Sequence, residues 1–209
     1  DVVVKLDKQS GHSEKEVLSV GNLVVKDDRK ITRVKDISFC LREGEILGIV
    51  GVSGNGQNEL VEAITGMRSY EAGTICLHGE KLPAGTPRNN RLKHIGYVPQ
   101  DRISVGSSVD SSLVENCIMG YHLNHLKKKG NLMDYRGAES FADSIIEEYN
   151  VKTRSSKDRA GSLSGGNLQK LIVGREFSQN HKVLLIEDPT RGIDIGSIEF
   201  IWKEIQKQV

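Results

Sequence analysis

The sequence is poor in several features that define specialised classes of protein. It has only three cysteines and four prolines in 209 residues, and no apolar run approaches the roughly 20 residues that a membrane-spanning helix needs. The cysteines (Cys40, Cys76 and Cys117) are odd in number and far apart, which argues against a disulfide scaffold or a metal site and favours reduced core thiols. The scarcity of proline argues against a disordered linker protein. We therefore expect a soluble, cytoplasmic α/β domain.

The sequence also has no excess of positive or negative charge. The chain has 29 Lys and Arg against 28 Asp and Glu, a net charge of +1, so nothing in it demands nucleic acid or an anionic membrane as a partner. The clearest basic cluster, residues 127–129, is typical of a solvated turn. Glycine is comparatively plentiful at 22 residues, which indicates glycine loops.

Apolar periodicity predicts alternating strands and helices. The predicted strands are residues 2–6, 17–25, 32–41, 45–50, 74–78, 94–98 and 183–186. One helical stripe contains Leu60 and Ile64 and is closed by Gly66, and another runs from Ala138 to Tyr149. A last helix carries Ile198 and neighbouring apolar residues. A strand, a glycine loop, a helix and a later apolar strand that ends in acids are typical of a P-loop architecture.

The glycine loop lies between the apolar run 45–50 and the first helix. Its candidate phosphate-binding residues are Gly51, Ser53, Gly54, Asn55, Gly56, Gln57 and Asn58. The glycines fit the G-x-x-x-x-G spacing of a Walker A loop, whose backbone N–H groups cradle phosphates. The next two positions carry Gln57 and Asn58 instead of Lys and Ser or Thr. Losing one charge-assisted hydrogen bond costs about 1.5–3 kcal/mol, so we expect weakened binding and inefficient hydrolysis here.

A helix opens at the sequence LSGGNLQK, residues 163–170. Ser164 is placed to cap this helix, and the backbone N–H groups of Gly165 and Gly166 can approach an anion because no Cβ blocks them. LSGG followed by Gln resembles the signature motif of ATP-binding cassette (ABC) ATPases. The resemblance implies that these three residues contact the γ-phosphate of an ATP held mainly by a partner domain.

The acids after strand 183–186 resemble the family's Walker B motif. In that motif Asp orders Mg²⁺ and the following Glu polarises the attacking water. Here the residue types are reversed, with Glu187 at the metal position and Asp188 at the catalytic position. Each side chain is wrong by one methylene, and errors near 1 Å can cost about a hundredfold in rate. The reversal is a second reason to expect weak hydrolysis.

Two further positions match the family. Gln100 resembles the glutamine of the Q-loop, which reaches the Mg²⁺ site, has a catalytic role and leads to the helical subdomain. Asp194 resembles the D-loop residue that faces the partner domain. The resemblance thus implies ATP and Mg²⁺ as cofactors, with Asn58, Gln100 and Glu187 as the metal-binding set.

Two elements expected from the family are missing. Residues 1–38 lack an aromatic side chain to stack on adenine. No histidine follows Asp194, so we expect the chain to stop before the strand that carries the family's switch histidine.

The resemblance covers residues 17–209 and implies a fold class. This is the α/β fold of P-loop NTPases of ABC type, with a mostly parallel core sheet, an antiparallel β subdomain and a helical subdomain at about residues 103–165. Residues 1–16 are interpreted as the tail of a preceding domain and a linker.

The segments GNGQ, VPQDR and PTRGID together resemble the second, C-terminal cassette of bacterial simple-sugar or nucleoside importers, and GNGQ favours the nucleoside branch. The implied partners are a first ABC cassette, transmembrane permease subunits that dock near residues 104–115, and, indirectly, a solute-binding protein. The implied location is the cytoplasmic face of the cell membrane.

Other interpretations stay open. The chain also fits a module that binds nucleotide for regulation without turnover, or a non-transport ABC ATPase of the DNA-repair or translation type. The repair type would bring long coiled-coil insertions or zinc cysteines, and the sequence has neither. We expect no nucleic-acid partner. Taken singly, the glycine loop and the acidic strand end are also compatible with a tight turn and a solvated strand end that bind nothing.

Overall fold

A computed structural model describes residues 13–125 and 132–208. The predicted strand 2–6 and the basic cluster 127–129 lie outside this range. The described chain forms two compact units. We call residues 13–96 and 181–185 the sheet unit, and residues 97–180 and 186–208 the helical unit.

The sheet unit is built on a four-stranded antiparallel sheet with the order β2-β1-β3-β4. Its strands are β1 (Glu16–Lys26), β2 (Thr32–Arg42), β3 (Ala72–Leu77) and β4 (Glu80–Lys81). Along β1, Leu18 and Val20 and then Leu23 and Val25 are buried at every second position, with a register shift between the two pairs. This alternation is what a strand with one face on a core requires, and it agrees with the predicted strands at 17–25, 32–41 and 74–78.

Two helices complete the sheet unit: α1 (Gln57–Thr65) and α2 (Pro87–Leu92). The predicted stripe of α1 is buried at Leu60 and Ile64. The helix ends at Gly66 with φ 81°, a left-handed conformation that glycine adopts without strain. Asn90 of α2 donates a hydrogen bond of 3.0 Å to the carbonyl of Ile64, so the two helix ends are joined.

A second sheet pairs β5 (Ile95–Val98) with β6 (Val183–Ile186), as expected for 94–98 and 183–186. The carbonyl of His94 accepts from the N–H of Lys182 at 2.8 Å, and the carbonyl of Val98 accepts from Glu187 at 2.9 Å. Acceptor and donor advance together along the chain, so the strands are parallel. In the described residues, this pair is the parallel part of the fold.

The prediction of a strand at 45–50 is wrong. Ile46, Ile49 and Val50 are 61%, 54% and 97% exposed, and the segment has no strand assignment. An apolar run becomes a strand only when a neighbouring strand supplies ladder hydrogen bonds. Within the described range, no such ladder reaches residues 46–50. The segment is apolar as a strand would be, but no neighbouring strand pairs with it among the described residues.

Its described residues give the helical unit four α-helices. They are α3 (Leu113–Ile118), α4 (Tyr135–Glu148), α5 (Gly165–Phe177) and α6 (Ile195–Gln206). The predicted stripe of α4 buries Ala138, Ala142 and Ile145. Helix α5 is buried on nearly all sides from Gly166 to Phe177, so it is the central element of this unit. Among the described residues, no helix has the length and apolarity needed to cross a bilayer.

The three cysteines are free thiols, and Cys117 on α3 is the buried one. Burial raises the pKa of the Cys117 thiol from 9.0 to about 12. Because the thiolate is the nucleophile, we expect Cys117 in the native protein to react with iodoacetamide at pH 8 about a thousandfold more slowly than in denaturant. Mass spectrometry after timed alkylation measures this, and Cys40 and Cys76 in the same digest serve as controls. Equal alkylation rates for Cys117 in buffer and in 8 M urea would contradict the assignment of Cys117 as a buried thiol with a raised pKa.

Candidate functional site

The glycine loop leads into α1 through two left-handed glycines. Gly54 has φ 89° and Gly56 has φ 101°. A Cβ on Gly56 would lie 2.6 Å from the backbone carbonyl oxygen of Arg33, so only glycine fits this position. Gly56 is the N-cap residue of α1 and offers no side-chain cap. The first turn of α1 therefore begins with backbone N–H groups available to a phosphate.

Gln57 folds back over its own loop. Its amide nitrogen donates to the carbonyl of Val52 at 3.1 Å. The same nitrogen would lie 2.2 Å from a Cβ at Gly51, so the amide lies directly against the loop. Glu59, an acid, is also in the first turn of α1, where its charge opposes an anion. The loop has the backbone shape of a phosphate cradle, but its side chains add no positive charge to it.

The acids after β6 have defined partners in the helical unit. The hydroxyl of Tyr97 donates to the Glu187 carboxylate at 2.5 Å, and the amide nitrogen of Gln100 donates to Asp188 at 3.3 Å. Asp188 has φ 38°, although the following residue is Pro189, which favours extended backbone. A non-glycine residue held in this conformation is strained, and such strain is concentrated at functional sites.

These oxygens fit Mg²⁺. The described residues contain no cluster of three or more His, Cys, Asp or Glu side chains that would hold a metal alone. Magnesium seldom uses such a cluster, since it is usually held by one or two carboxylates together with phosphates and water. Glu187 and Asp188 would supply the carboxylates of such a site. The Gln100 amide turns its nitrogen to Asp188, so its oxygen is the atom suited to a cation.

Ser164 caps α5 as the sequence predicts. Its hydroxyl oxygen accepts hydrogen bonds from the Asn167 backbone N–H at 3.4 Å and from the Asn167 side chain at 2.9 Å. Ser164 itself is exposed, so the N-terminus of α5 is open to a ligand from outside the chain.

The two signature glycines are needed for packing within the chain. A Cβ on Gly166 would lie 2.7 Å from the carboxylate of Asp194, and a Cβ on Gly165 would lie 2.9 Å from the guanidinium of Arg102. Gly166 is buried. Besides leaving their N–H groups accessible, both glycines therefore make room for a charged side chain.

Asp194 caps α6. Its carboxylate accepts from the backbone N–H of Ser197 at 2.9 Å and from the Ser197 hydroxyl at 2.8 Å. The backbone hydrogen bond from Ser197, followed by the hydroxyl bond, lowers the pKa of Asp194 below its usual value. The residue predicted to face a partner domain is thus a charged helix cap placed beside the signature.

Three residues of this region were missed by sequence reasoning. Arg102 donates to the backbone carbonyls of Arg191 at 2.7 Å and Gly192 at 3.2 Å. Tyr97 contacts Glu187, and Glu176 is a fully buried acid. The signals were a tyrosine three residues before Gln100, an arginine two residues after it, and an adjacent Arg-Glu pair at 175–176 that follows the apolar run 171–173 of α5.

The structure therefore places the predicted residues in separate groups. Gly51 to Asn58 belong to the sheet unit. Gln100 contacts Asp188 within the helical unit, and Gly166 packs on Asp194 within the same unit.

A glycine loop that opens a helix, two acids at the end of a parallel strand and a capped LSGG helix define a nucleotide-binding cassette of the P-loop class. The sequence profile of the ABC transporter family matches residues 34–191. The chain belongs to this family.

Relatives with known names agree with this assignment. The chain is 39% identical over 208 residues to the guanosine import ATP-binding protein NupO of Bacillus subtilis, covering 100% of this chain and 41% of the relative. It is 37% identical over 210 residues to the glucose import ATP-binding protein TsgD13 of Haloferax volcanii, covering 100% of this chain and 38% of the relative. The chain thus spans about two fifths of the length of these relatives.

Among solved structures, the ATP-binding cassette MJ0796 in a dimeric post-hydrolysis state with ADP and Pi is similar in fold. The TM-score is 0.75 at 21% identity, with 91% of this chain and 82% of that chain covered. The predicted fold class, a P-loop NTPase of ABC type with an antiparallel sheet and a helical region, is confirmed.

Proposed function

We propose that this chain is the second cassette of an importer ATPase, and that its signature completes the ATP site of a first cassette while its own phosphate loop is a weak site. The observation that carries the proposal is the contrast between the two motifs. Ser164 caps an open helix N-terminus, whereas Gln57 is folded onto its own loop without a positive charge.

The weak site follows from electrostatics. A P-loop lysine brings a full positive charge to the β- and γ-phosphates, and Gln57 brings a neutral amide already bonded to Val52. An incoming phosphate must break that bond and gains no ion pair. ATP binding here therefore depends on backbone N–H groups, with the left-handed Gly54 and Gly56 shaping the loop and Gly51 leaving room for Gln57.

For the metal, we propose Asn58, Gln100 and Glu187 as the side chains that hold Mg²⁺, and Asp188 as the group that orients water. The ion would neutralise charge on the phosphates of ATP. Asn58 offers an amide oxygen where the family has a hydroxyl, and Asp188 has one methylene fewer than glutamate. Both changes favour slow hydrolysis at this site.

The transported solute is proposed to be a nucleoside or a simple sugar. NupO carries a guanosine-import name and TsgD13 a glucose-import name, so the relatives support this class as a whole. The segment GNGQ at residues 54–57 supports the nucleoside branch.

Partners are proposed on the same basis. A first cassette supplies the ATP that Ser164 contacts, and permease subunits dock on residues 104–115, which places the protein on the cytoplasmic face of the membrane. Val105 within this segment and Ile103 immediately before it support the docking region, because these apolar side chains are 50% and 56% exposed. We further propose residues 1–16 as the tail of a preceding domain, 17–209 as the ABC domain and about 103–165 as its helical subdomain.

The test is Ser164→Arg in the full-length two-cassette protein. A bulky cation at the α5 N-terminus blocks the γ-phosphate from the partner site, so we expect ATP turnover to fall at least about tenfold. Ser140→Arg is the matched control, since Ser140 is exposed on α4 and the charge change is identical. Turnover of Ser164→Arg equal to that of the control would refute the proposed role of the signature.

A companion measurement addresses the weak site. This chain alone should bind MgATP weakly and hydrolyse it far more slowly than when it is mixed with the first cassette. Hydrolysis by the isolated chain at a rate normal for the family would overturn the weak-site proposal.

A further inference from the structure

We propose that Tyr97 is a positioning residue that fixes the carboxylate of Glu187 in the orientation that Mg²⁺ requires. This inference rests on the proposed function of the site. It adds a residue that lies outside the loop, the acids and the signature, and it explains how a glutamate serves where the family has an aspartate.

The contact itself is short and direct. The Tyr97 hydroxyl donates to Oε2 of Glu187 at 2.5 Å, the length of a strong hydrogen bond to a carboxylate. A glutamate has one more rotatable bond than an aspartate, so its carboxylate samples more positions. A hydroxyl that holds one oxygen removes this freedom and sets the direction of the other.

The backbones on both sides of the contact are also fixed. The N–H of Glu187 donates to the carbonyl of Val98, the residue next to Tyr97, at 2.9 Å. The two side chains therefore start from adjacent, hydrogen-bonded positions at the end of the β5–β6 pair. An aromatic ring is rigid, so the hydroxyl lies at a set distance from this end.

Tyr97 is held in place by a buried acid. Its backbone N–H donates to Glu176 at 3.3 Å, and Glu176 is fully buried. Glu176 also accepts from the Tyr121 hydroxyl at 2.5 Å and from Nε of Arg175 at 2.9 Å. Arg175 in turn donates to the carbonyl of Gly106 at 2.9 Å. A buried and mutually hydrogen-bonded network of this kind is rigid, so it fixes the backbone of Tyr97.

Side-chain length links the two residues. Asp at position 187 would withdraw the carboxylate by about 1.5 Å, the length of one C–C bond, and the Tyr97 hydroxyl would no longer reach it. Tyr97 therefore has a positioning effect only when residue 187 is glutamate.

The experiment uses Tyr97→Phe in the full chain, which removes the hydroxyl and keeps the ring. ATP affinity is measured by calorimetry with Mg²⁺ and with EDTA. We expect the gain in affinity that Mg²⁺ provides to fall about tenfold, and the affinity in EDTA to stay unchanged. In a Glu187→Asp background, Tyr97→Phe should have no further effect. Tyr135→Phe, at a residue 70% exposed, is the matched control.

Two results would overturn the inference. An unchanged Mg²⁺ gain in Tyr97→Phe means that the hydroxyl does not position the metal ligand, and an equal loss in Mg²⁺ and in EDTA means that its role is only structural. Failure of the proposed function looks different, because the unsubstituted chain itself would then show no Mg²⁺-dependent ATP binding. In that case a double-mutant cycle of Tyr97→Phe and Glu187→Gln on the urea midpoint still tests the contact, and additive shifts would refute it.

Discussion

Gln57→Lys should tighten ATP binding to this chain by about ten- to a hundredfold. The lysine replaces a neutral amide with a cation at the position that meets the β- and γ-phosphates, and a charge-assisted hydrogen bond is worth about 1.5–3 kcal/mol. The substitution also removes the bond between the Gln57 amide and the Val52 carbonyl, which opens the loop. Calorimetric titration with ATP in the presence of Mg²⁺ measures the change.

Two controls separate the effect from general charge. Gln208→Lys adds the same charge at an exposed position after α6 and should leave affinity unchanged. Gln57→Met frees the loop without adding charge and should tighten binding much less than lysine. Equal affinities for Gln57→Lys and the unsubstituted chain would show that the loop is not limited by its missing cation.

Gln57→Lys should raise the affinity for ATP without raising the rate of ATP hydrolysis. The reversed acids Glu187 and Asp188 are unchanged by it, so hydrolysis stays slow even when binding becomes tight. A large rise in turnover with lysine alone would mean that the reversed acids are not a barrier.

Glu176→Leu should destabilise the protein by about 3–5 kcal/mol. Both partners of the Arg175–Glu176 ion pair are buried, with side chains 4% and 0% exposed. Removing the acid leaves a buried guanidinium and the Tyr121 hydroxyl without the carboxylate that they bind, which is among the costliest single changes in a core. The free energy of unfolding in urea measures the loss.

The surface offers a matched comparison. Glu199 pairs with Lys203 on α6 at 2.7 Å, and these side chains are 51% and 63% exposed. Glu199→Leu should cost less than about 1 kcal/mol, because solvent screens an exposed pair. Similar costs for the two substitutions would contradict the expectation that burial makes the Arg175–Glu176 pair the more costly one to break.

Much of the fold follows from the sequence because it depends on local patterns. Alternation placed β1, β2 and β3, and helical spacing placed α4 and α6 to within a few residues. Gly66 ends α1 because glycine adopts the left-handed conformation without strain, and Ser164 begins α5 because its hydroxyl caps the helix. The prediction of a strand at residues 45–50 was wrong because a strand also needs a neighbouring strand to pair with. The pattern within one segment carries no information about that neighbour.

Part of the candidate site could likewise be predicted from the sequence, and part could not. Gln57 and Asn58 and the reversed acids were recognised as departures because each stands at a fixed place in a motif. Gln100, the partner of Asp188, was recognised in the same way. The partner of Glu187 was not, since the Tyr97–Glu187 contact joins residues 90 positions apart. Glu176 was missed for another reason, because the burial of an Arg-Glu pair on a helix of mixed polarity can be recognised only when the surrounding elements are known.

The contact between Gly166 and Asp194 has a consequence for genetics. A side chain at position 166 would displace the carboxylate that caps α6, so a substitution in the signature alters the start of another helix as well. A loss of activity mapped to position 166 therefore cannot be assigned to nucleotide contact alone. The compensating mutation for such a variant should be sought at position 194 or 197, and in natural sequences these positions should change together.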